Sequence, residues 1–217
     1  VVLNGDTTNA ATGNINLDDA DPADTKHYLS MDGIRHSAII DNTNNLKDVG
    51  GNAITLEDLR DVRALMMDYA RLMDWAHPTN PQDLVYIADP ETADRIATLD
   101  EVMKVKMLAQ NADLLGGEVA RIIGHPVISS MAQPKTEADG KVSTTPANNS
   151  LGQVTVFNRR GYKTGWRRRV KVEVERIPST DQTRIVYSLR FGLGRFTPTG
   201  AASGIEHTAV LRNISLA

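Results

Sequence analysis

The residue types that most often carry out catalysis occur in this chain without a recognisable spacing. Its five histidines form no HxH or HxxxH pair, and no serine lies in a G-x-S-x-G turn. The absence of cysteine excludes disulfides, thiolate nucleophiles and sulfur-ligated metal ions. Nothing singles out two of the 27 carboxylates as a hydrolytic pair. We therefore predict no catalytic residue, no cofactor and no metal ion, and a carboxylate hydrolase is the last of the alternatives.

Two loops resemble ligand sites only in part. Gly192-Leu193-Gly194-Arg195 has two glycines of a dinucleotide-binding turn, but the third glycine is missing and the loop does not open a helix. Asp18-Asp19-Ala20-Asp21-Pro22-Ala23-Asp24 is rich in carboxylates, but it lacks the central glycine and terminal glutamate of a calcium loop. Neither loop predicts a bound phosphate or metal ion.

A cluster of aromatic and basic residues is the clearer chemical signal. Tyr162 and Trp166 stand among Arg159, Arg160, Lys163, Arg167, Arg168 and Arg169. Such interleaving can stack bases and bind phosphates. Alternatively, the two aromatic side chains flank a turn from Gly161 to Gly165 and anchor it by packing. We favour the packing interpretation because the cluster is dominated by arginine, which is typical of contacts with carboxylates.

Charge is divided unevenly along the chain. Residues 1–150 carry 12 basic and 23 acidic side chains, a net charge of −11, whereas residues 151–217 carry 12 and 4, a net charge of +8. Eleven of the basic residues lie between Arg159 and Arg195. This asymmetry indicates either a nucleic-acid surface or a subunit whose basic part docks on the acidic part of another copy. A solvated surface without a partner is the third interpretation.

The basic cluster belongs to a predicted long antiparallel hairpin from Gln153 to Phe196. Apolar and charged residues alternate from Val170 to Glu175, and the alternation resumes at Ile185 after a turn over residues 178–182. This pattern predicts one dry face and one wet face. The pairs expected on the polar face are Glu175 with Arg184, Glu173 with Val186, Lys171 with Ser188 and Arg169 with Arg190.

The rest of the chain predicts a layer of helices and strands. With 217 residues and 41% hydrophobic content it can form a core, and no apolar run approaches the roughly 18 residues of a membrane helix. Thr55 is placed to cap a helix that runs to Ala76, and Asp89-Pro90 is typical of another helix start. The other expected elements are a helix from Thr25 to about Ile40, a buried strand Leu84–Ile87, a helix from Asp100 to about Gln110, a strand over 117–130 bent at Gly124-His125-Pro126, a mobile connection over 131–150 and a last strand from His207 to Leu211.

Several stretches, taken in order, point to one protein family. They are Leu3-Asn4-Gly5-Asp6, Asp32-Gly33-Ile34-Arg35, the capped helix from Thr55, Tyr86-Ile87-Ala88-Asp89-Pro90-Glu91-Thr92, the run from Gly117 to Ser130, Gly161-Tyr162, Gly165-Trp166-Arg167-Arg168 and Ser188-Leu189-Arg190-Phe191-Gly192. As an ordered set over nearly the whole chain, they resemble the major capsid proteins of tailed bacteriophages, which share the Hong Kong 97 shell fold.

The resemblance implies an α+β chain of the Hong Kong 97 type, with an α/β axial domain, a peripheral domain that contains the long β ribbon, and no catalytic centre. The expected divisions are a leading loop and helix on the peripheral side (1–40), the axial-type domain (41–130), the mobile connection (131–150) and the peripheral ribbon with the final strand (151–217). The family's N-terminal arm, extended loop and spine helix precede the stretch that resembles Leu3-Asn4-Gly5-Asp6, so we expect this piece to lack them. No crosslinking residue is assigned, because the lysine of the isopeptide bond that some members form lies in the extended loop.

The function implied by the resemblance is structural. The expected product is an icosahedral phage or prophage shell, built of pentamers and hexamers around double-stranded DNA and assembled in the bacterial host cytoplasm. Expected partners are further copies of the chain, a scaffold, a portal, a maturation protease and packaged DNA on the inner face, with no membrane. The predicted subunit-interface residues are Arg159, Arg160, Tyr162, Trp166, Arg167, Arg168, Arg169 and Arg190. The alternatives are an encapsulin-like compartment shell and, from another class, a nucleic-acid-binding protein that uses the basic ribbon.

Overall fold

The computed structural model describes residues 1–9, 14–17, 22–70, 83–100, 102, 118–122, 124–195 and 207–217. This part of the chain forms a six-stranded mixed sheet with helices packed on it and a separate two-stranded ribbon. The strands are β1 Leu46–Asp48, β2 Leu84–Ala88, β3 Glu118–Ile122, β4 His125–Ser129, β5 Gly152–Asn158, β6 Tyr162–Ile177, β7 Gln182–Arg195 and β8 Thr208–Ile214. The helices are α1 Ile34–His36, which continues as a π-helical turn over Ser37–Asp41, α2 Leu56–Ala70 and α3 Pro90–Ala97. In these ranges no helix is long and apolar enough to cross a membrane.

The sheet has the strand order β1-β8-β5-β2-β4-β3. The β1–β8 and β2–β4 pairs are parallel, and the other neighbours are antiparallel. Its central strand β2 is apolar at every position, which suits a strand with both faces largely covered. The predicted buried strand at Leu84–Ile87 is therefore confirmed. One face packs on α2 and α3 through the main core, in which Leu84, Tyr86 and Val156 are fully buried.

Helix α2 begins where the sequence predicts. The backbone N–H of Thr55 donates to Asp58 Oδ2 at 3.0 Å, and the backbone N–H of Asp58 donates to Thr55 Oγ1 at 3.2 Å, which is a reciprocal capping box. The face with Leu59, Val62 and Met66 is buried in the main core. The predicted end of this helix near Ala76 and nearly all of the predicted helix 100–110 lie outside the described residues.

Helix α3 is capped by Asp89, as predicted. The Asp89 carboxylate accepts hydrogen bonds from the backbone N–H groups of Glu91 and Thr92 at 3.1 and 3.0 Å, and Pro90 occupies the first turn. Ile96 is fully buried on the inner face of the helix. The helix therefore both closes its own N-terminus and covers the sheet.

The second face of the sheet is covered on the β8 side by α1 and its π-helical turn. Ala38 and Ile39 pack with Ile15 and Val210 in a small second core. The predicted helix from Thr25 to Ile40 is wrong in its first half, where only a short 3-10 turn forms over His27–Ser30 before α1 begins. The reason is that the N-terminal segment accepts the hydrogen bonds of the first donors of α1, because the N–H of Ile34 bonds to the carbonyl of Val2 at 3.0 Å.

The predicted single strand over 117–130 is also wrong. The chain reverses there, so that β3 and β4 pair as an antiparallel hairpin. Gly124 makes the reversal possible, because its φ of 81° lies in the left-handed region that favours glycine. His125 and Pro126, predicted to form a bend, are the first residues of β4.

The segment 131–150, predicted to be a mobile connection, is attached at several points. Gln133 Nε2 donates to Gln153 Oε1 at 2.7 Å, and Gln133 Oε1 accepts from Thr155 Oγ1 at 2.9 Å. Arg35 Nη2 donates to the carbonyl of Gly140 at 3.0 Å. The sheet combines β2, β3 and β4 of the predicted axial part with β5 and β8 of the predicted peripheral part. The division into axial and peripheral domains stays a prediction.

The ribbon consists of β6 and β7, which are 16 and 14 residues long and pair from Tyr162 with Arg195 to Ile177 with Gln182. The predicted hairpin is confirmed there, but its first residues belong to β5 in the sheet. Three of the predicted pairs are confirmed, namely Glu175 with Arg184, Glu173 with Val186 and Lys171 with Ser188. The predicted pair of Arg169 with Arg190 is wrong. Arg190 pairs with Arg168, because the register shifts between Trp166 and Arg168 and again before Lys171.

Candidate assembly interface

The root of the ribbon is the end next to the sheet, where Tyr162 pairs with Arg195. Tyr162 attaches this root to the sheet. Its hydroxyl lies 3.0 Å from Ser37 Oγ and 2.5 Å from Thr208 Oγ1. Its ring meets those of Phe157 and His207 in edge-to-face contacts with centroids 6.2 and 6.3 Å apart. Tyr162 therefore packs, as the packing interpretation expects, but it holds the start of β6 and not a turn between Gly161 and Gly165. Its predicted place in a subunit interface stays a prediction.

Trp166 has a different environment from Tyr162. The predicted turn between Gly161 and Gly165 is wrong, because the chain turns over Arg159–Gly161 and then enters β6. Trp166 leans on Phe191 across the ribbon, with centroids 5.5 Å apart, but 60% of its surface is exposed. It therefore does not anchor a turn, and its indole ring is available for a partner.

The ribbon carries a row of exposed apolar side chains. The pairs Val172 with Tyr187 and Val174 with Ile185 stand directly opposite each other on one face. Together with Val170 and Leu189 they are exposed by 44–69%. The alternation predicted from the sequence is present, but the expected dry face is not covered by any described part of this chain. We call these six residues the apolar row.

The predicted interface arginines separate into two groups. Arg160 is already paired within the chain, because its Nε lies 2.9 Å from Asp83 Oδ2. The others form no ion pair with a described residue, and among them only Arg168 is half-buried. This second group is Arg159, Arg167, Arg168, Arg169 and Arg190. We call it the unpaired arginines.

Charges nearer the tip of the ribbon compensate one another. Lys171 pairs with Glu173, Arg184 lies 3.8 Å from Glu175, and Arg176 lies 3.4 Å from Asp181. Exposed pairs of this kind contribute little to stability, because water and salt screen them. The uncompensated positive charge is therefore concentrated near the root, beside Trp166.

One close set of polar residues was missed at the sequence level. Asp6, Asp32 and His36 meet beside the ribbon root. The only local signal was the spacing of four residues between Asp32 and His36, which places both side chains on one side of a helical turn. Asp6 comes from a different segment, so sequence spacing could not reveal the complete set.

Comparison with known proteins rests on structure. No protein family and no curated protein matches the chain by sequence. Among solved structures, the capsid of Ralstonia phage GP4 matches with a TM-score of 0.54 and 11% identity, over 95% of this chain and 61% of that chain. The chain has a phage capsid fold.

Other phage structures give weaker matches. Mycobacterium phage Che8 matches with a TM-score of 0.45 and 13% identity, over 81% of this chain and 55% of that chain. The mature capsid of bacteriophage PhiM1 matches with a TM-score of 0.44 and 10% identity, over 72% and 47%. This chain thus spans less than two thirds of each matched chain. The phage capsid fold, with its sheet and ribbon, is the part of the predicted resemblance that is confirmed.

Proposed function

We propose that this chain is a large part of a phage or prophage major capsid protein of the Hong Kong 97 type. Copies would assemble into pentamers and hexamers and enclose double-stranded DNA as a virion shell. The observation that carries the proposal is the likeness to the GP4 capsid over 95% of this chain. In this proposal residues 41–130 have the axial role, and residues 1–40 and 151–217 the peripheral role. The role is structural and needs no catalytic residue.

The ribbon is the proposed contact with a neighbouring copy. Its apolar row projects where no described residue covers it, and a half-exposed valine or isoleucine contributes roughly 1 kcal/mol when a partner covers it. Contiguous exposed apolar surface on a soluble subunit is typical of an interaction site. A second copy is the partner we assign, because its first 150 residues carry a net charge of −11 that complements the basic ribbon.

We expect the unpaired arginines to fix the orientation of the two copies at this contact. A guanidinium can bind a carboxylate through two parallel hydrogen bonds, which fixes the angle between the partners. Truncating one partner of a desolvated charge pair at an interface costs about 2–5 kcal/mol, whereas an exposed rim pair contributes about 0–1 kcal/mol. We therefore expect Arg168, the half-buried member, to contribute more than the fully exposed arginines. Polar contacts of this kind also let subunits slide and repack without separating.

Electron microscopy of the protein expressed from its full-length gene tests the proposal. Closed shells or ring-shaped pentamers and hexamers are expected. Small monodisperse particles under all assembly conditions would contradict it. Shells that never contain DNA, even in infected or induced cells, would favour an encapsulin-like compartment. Partners such as a scaffold, a portal and a maturation protease belong to the same proposal and are sought by isolating complexes from producing cells.

Arginine variants test the proposed interface. In the full-length protein, Arg167→Ala, Arg168→Ala and Arg190→Ala together should reduce shell formation, measured by sedimentation. The matched control is Arg176→Ala, which removes an arginine of the same ribbon whose exposed pair with Asp181 lies near the tip. Equal assembly of the triple variant and the control would show that the unpaired arginines are not interface residues.

A second candidate function is supported by the exposure of Trp166 among arginines. An exposed indole beside cations can stack on bases while the cations bind phosphates. If this surface binds nucleic acid, affinity for single-stranded DNA should fall steeply with salt. The arginine variants would then form normal shells that retain DNA poorly. Normal binding of DNA by Trp166→Ala would remove this candidate.

A further inference from the structure

Beside the ribbon root, three segments bring two carboxylates and an imidazole together. Asp6 comes from the N-terminal segment, Asp32 from the turn before α1, and His36 from the end of α1. One potential ligand atom from each lies within 4.8 Å of the others. His36 Nε2 is 3.5 Å from Asp6 Oδ1 and 3.8 Å from Asp32 Oδ1. Ligand atoms that surround one metal ion at about 2.0–2.2 Å are separated by distances of this order.

Both carboxylates are held in place by other groups. Asp6 accepts hydrogen bonds from the backbone N–H groups of Thr8 and Ile15 at 2.8 and 2.7 Å. Asp32 Oδ1 accepts from the backbone N–H and the hydroxyl of Thr7 at 2.9 and 2.8 Å. Asp32 Oδ2 accepts no hydrogen bond from the described residues. The carboxylates are thus oriented before any ligand arrives.

The placement of the two ring nitrogens of His36 points to a ligand. The residue is 6% exposed, and its Nδ1 is buried without a hydrogen-bond partner although Asp41 Oδ1 lies 3.5 Å away. A metal-ligating histidine typically directs its other ring N–H at a carboxylate, which leaves the opposite nitrogen to bind the metal. Here Asp41 stands on the Nδ1 side, while Nε2 faces Asp6 and Asp32.

The local charge and space suit a small cation. Asp6, Asp32 and Asp41 face His36. Among the described residues, the cations near them are the buried Arg35, which interacts with Asp6, and Arg195, which lies 3.0 Å from Asp41. Two guanidinium groups leave one of the three carboxylates uncompensated when the imidazole is neutral. A cavity of about 210 Å³ adjoins the cluster, which leaves room for water molecules to complete a coordination shell.

We propose that Asp6, Asp32 and His36 form a binding site for a divalent transition-metal ion of the zinc class. Mixed imidazole and carboxylate donors suit zinc, whereas magnesium and calcium prefer sites made of oxygen alone. The ion joins the N-terminal segment, the turn before α1 and α1 itself. Leu193 and Arg195 of β7 line the same cavity. The bound ion therefore makes the ribbon root more rigid. This site differs from the Asp18–Asp24 loop considered from the sequence.

Zinc titration of the purified, chelator-treated protein by calorimetry tests the site. The wild-type protein should bind one ion per chain, and zinc should raise its thermal unfolding midpoint. Asp32→Asn keeps an acceptor for Thr7 but loses the ligand charge, and it should weaken binding by roughly tenfold or more. His36→Gln should do the same. The control is His27→Gln, which removes an exposed histidine outside the cluster and should leave the affinity unchanged.

Two results would overturn the site. One is the absence of saturable zinc binding by the wild-type protein. The other is equal affinity in the wild type and in Asp32→Asn. Because Asp32 is the exposed member of the cluster, its variant should remain folded even if His36→Gln does not. Cobalt titration supplies an independent readout, since visible absorption bands that appear with the wild type should be absent or displaced in Asp32→Asn.

Discussion

The sheet and the ribbon are both β structures with regular patterns of apolar residues, but they bury those residues differently. In the sheet, Leu84, Tyr86 and Leu211 are fully buried against the helices. In the ribbon, Val174 and Tyr187 are exposed by 66% and 69%. Alternation therefore predicts that a face is apolar, but it does not predict which molecule covers that face. The core face of the sheet is covered by helices of the same chain, and the ribbon is the part that we propose another copy covers.

The polar groups of the two regions differ in the same way. In the sheet, the buried side chains of Gln153 and Thr155 find partners inside the chain, because both form hydrogen bonds with Gln133. The unpaired arginines, which lie in the ribbon and in the turn before it, form no ion pair with a described residue. The proposed capsid role requires a chain that folds by itself and leaves its ribbon uncovered, because the contact surface must be available before assembly.

Replacing one leucine in the sheet and one in the ribbon should give the largest difference in the free energy of unfolding. Leu211→Ala removes a fully buried side chain and should lower the free energy of unfolding by about 2–5 kcal/mol. Leu189→Ala, at a site that is 44% exposed, should cost about 1 kcal/mol or less. Urea unfolding of the isolated subunit measures both. Equal losses would mean that the ribbon is already covered within the subunit.

Glycines at the ribbon root offer a smaller contrast. A Cβ at Gly161 would lie 2.1 Å from the His207 ring, whereas a Cβ at Gly192 would meet nothing within 4 Å. Gly161→Ala should therefore cost about 1–3 kcal/mol by overpacking the junction of sheet and ribbon. Gly192→Ala should change stability by no more than about 1 kcal/mol in either direction. Thermal unfolding distinguishes them, and a neutral Gly161→Ala would show that this junction is loose.

Replacing Arg160 and replacing Arg167 should give the smallest difference in stability. Arg160→Ala breaks the ion pair with Asp83 and should lower stability by up to about 1 kcal/mol, since Arg160 itself is largely exposed. Arg167→Ala removes a side chain with no ionic partner among the described residues and should stay within about 0.5 kcal/mol of the wild type. Measurements at low and high salt check the assignment, because only the Arg160 effect should shrink with salt. A larger effect at Arg167 would contradict the distinction between paired and unpaired arginines.

Local signals predicted the local structure well. The capping box at Thr55 and the Asp89-Pro90 start are complete within four residues, so sequence alone was sufficient. The hairpin register is correct near its turn, from Glu175 to Lys171, because the turn sets it. Between Lys171 and Trp166 the register shifts. The alternation did not indicate that Arg168, and not Arg169, would pair with Arg190.

Features that depend on distant residues were predicted poorly. The first half of the predicted helix 25–40 does not form, because this part of the chain bonds to the N-terminal segment instead. No local sequence pattern reveals those contacts. The segment 131–150 looked like a connection from its composition, but its partners lie in β5, β8 and α1. The cluster at His36 needs Asp6, 30 residues away, and thus has no motif spacing.

The most direct test of the account is thiol labelling of the ribbon before and after assembly. The chain contains no cysteine, so Val172→Cys in the apolar row and Glu173→Cys on the opposite face each introduce a unique thiol within it. In unassembled full-length subunits both thiols should react rapidly, because both positions are exposed. In assembled shells we predict that the thiol at position 172 becomes strongly protected, while that at 173 changes much less. Equal reactivity of the thiol at 172 in both states would contradict the claim that another copy covers the apolar row.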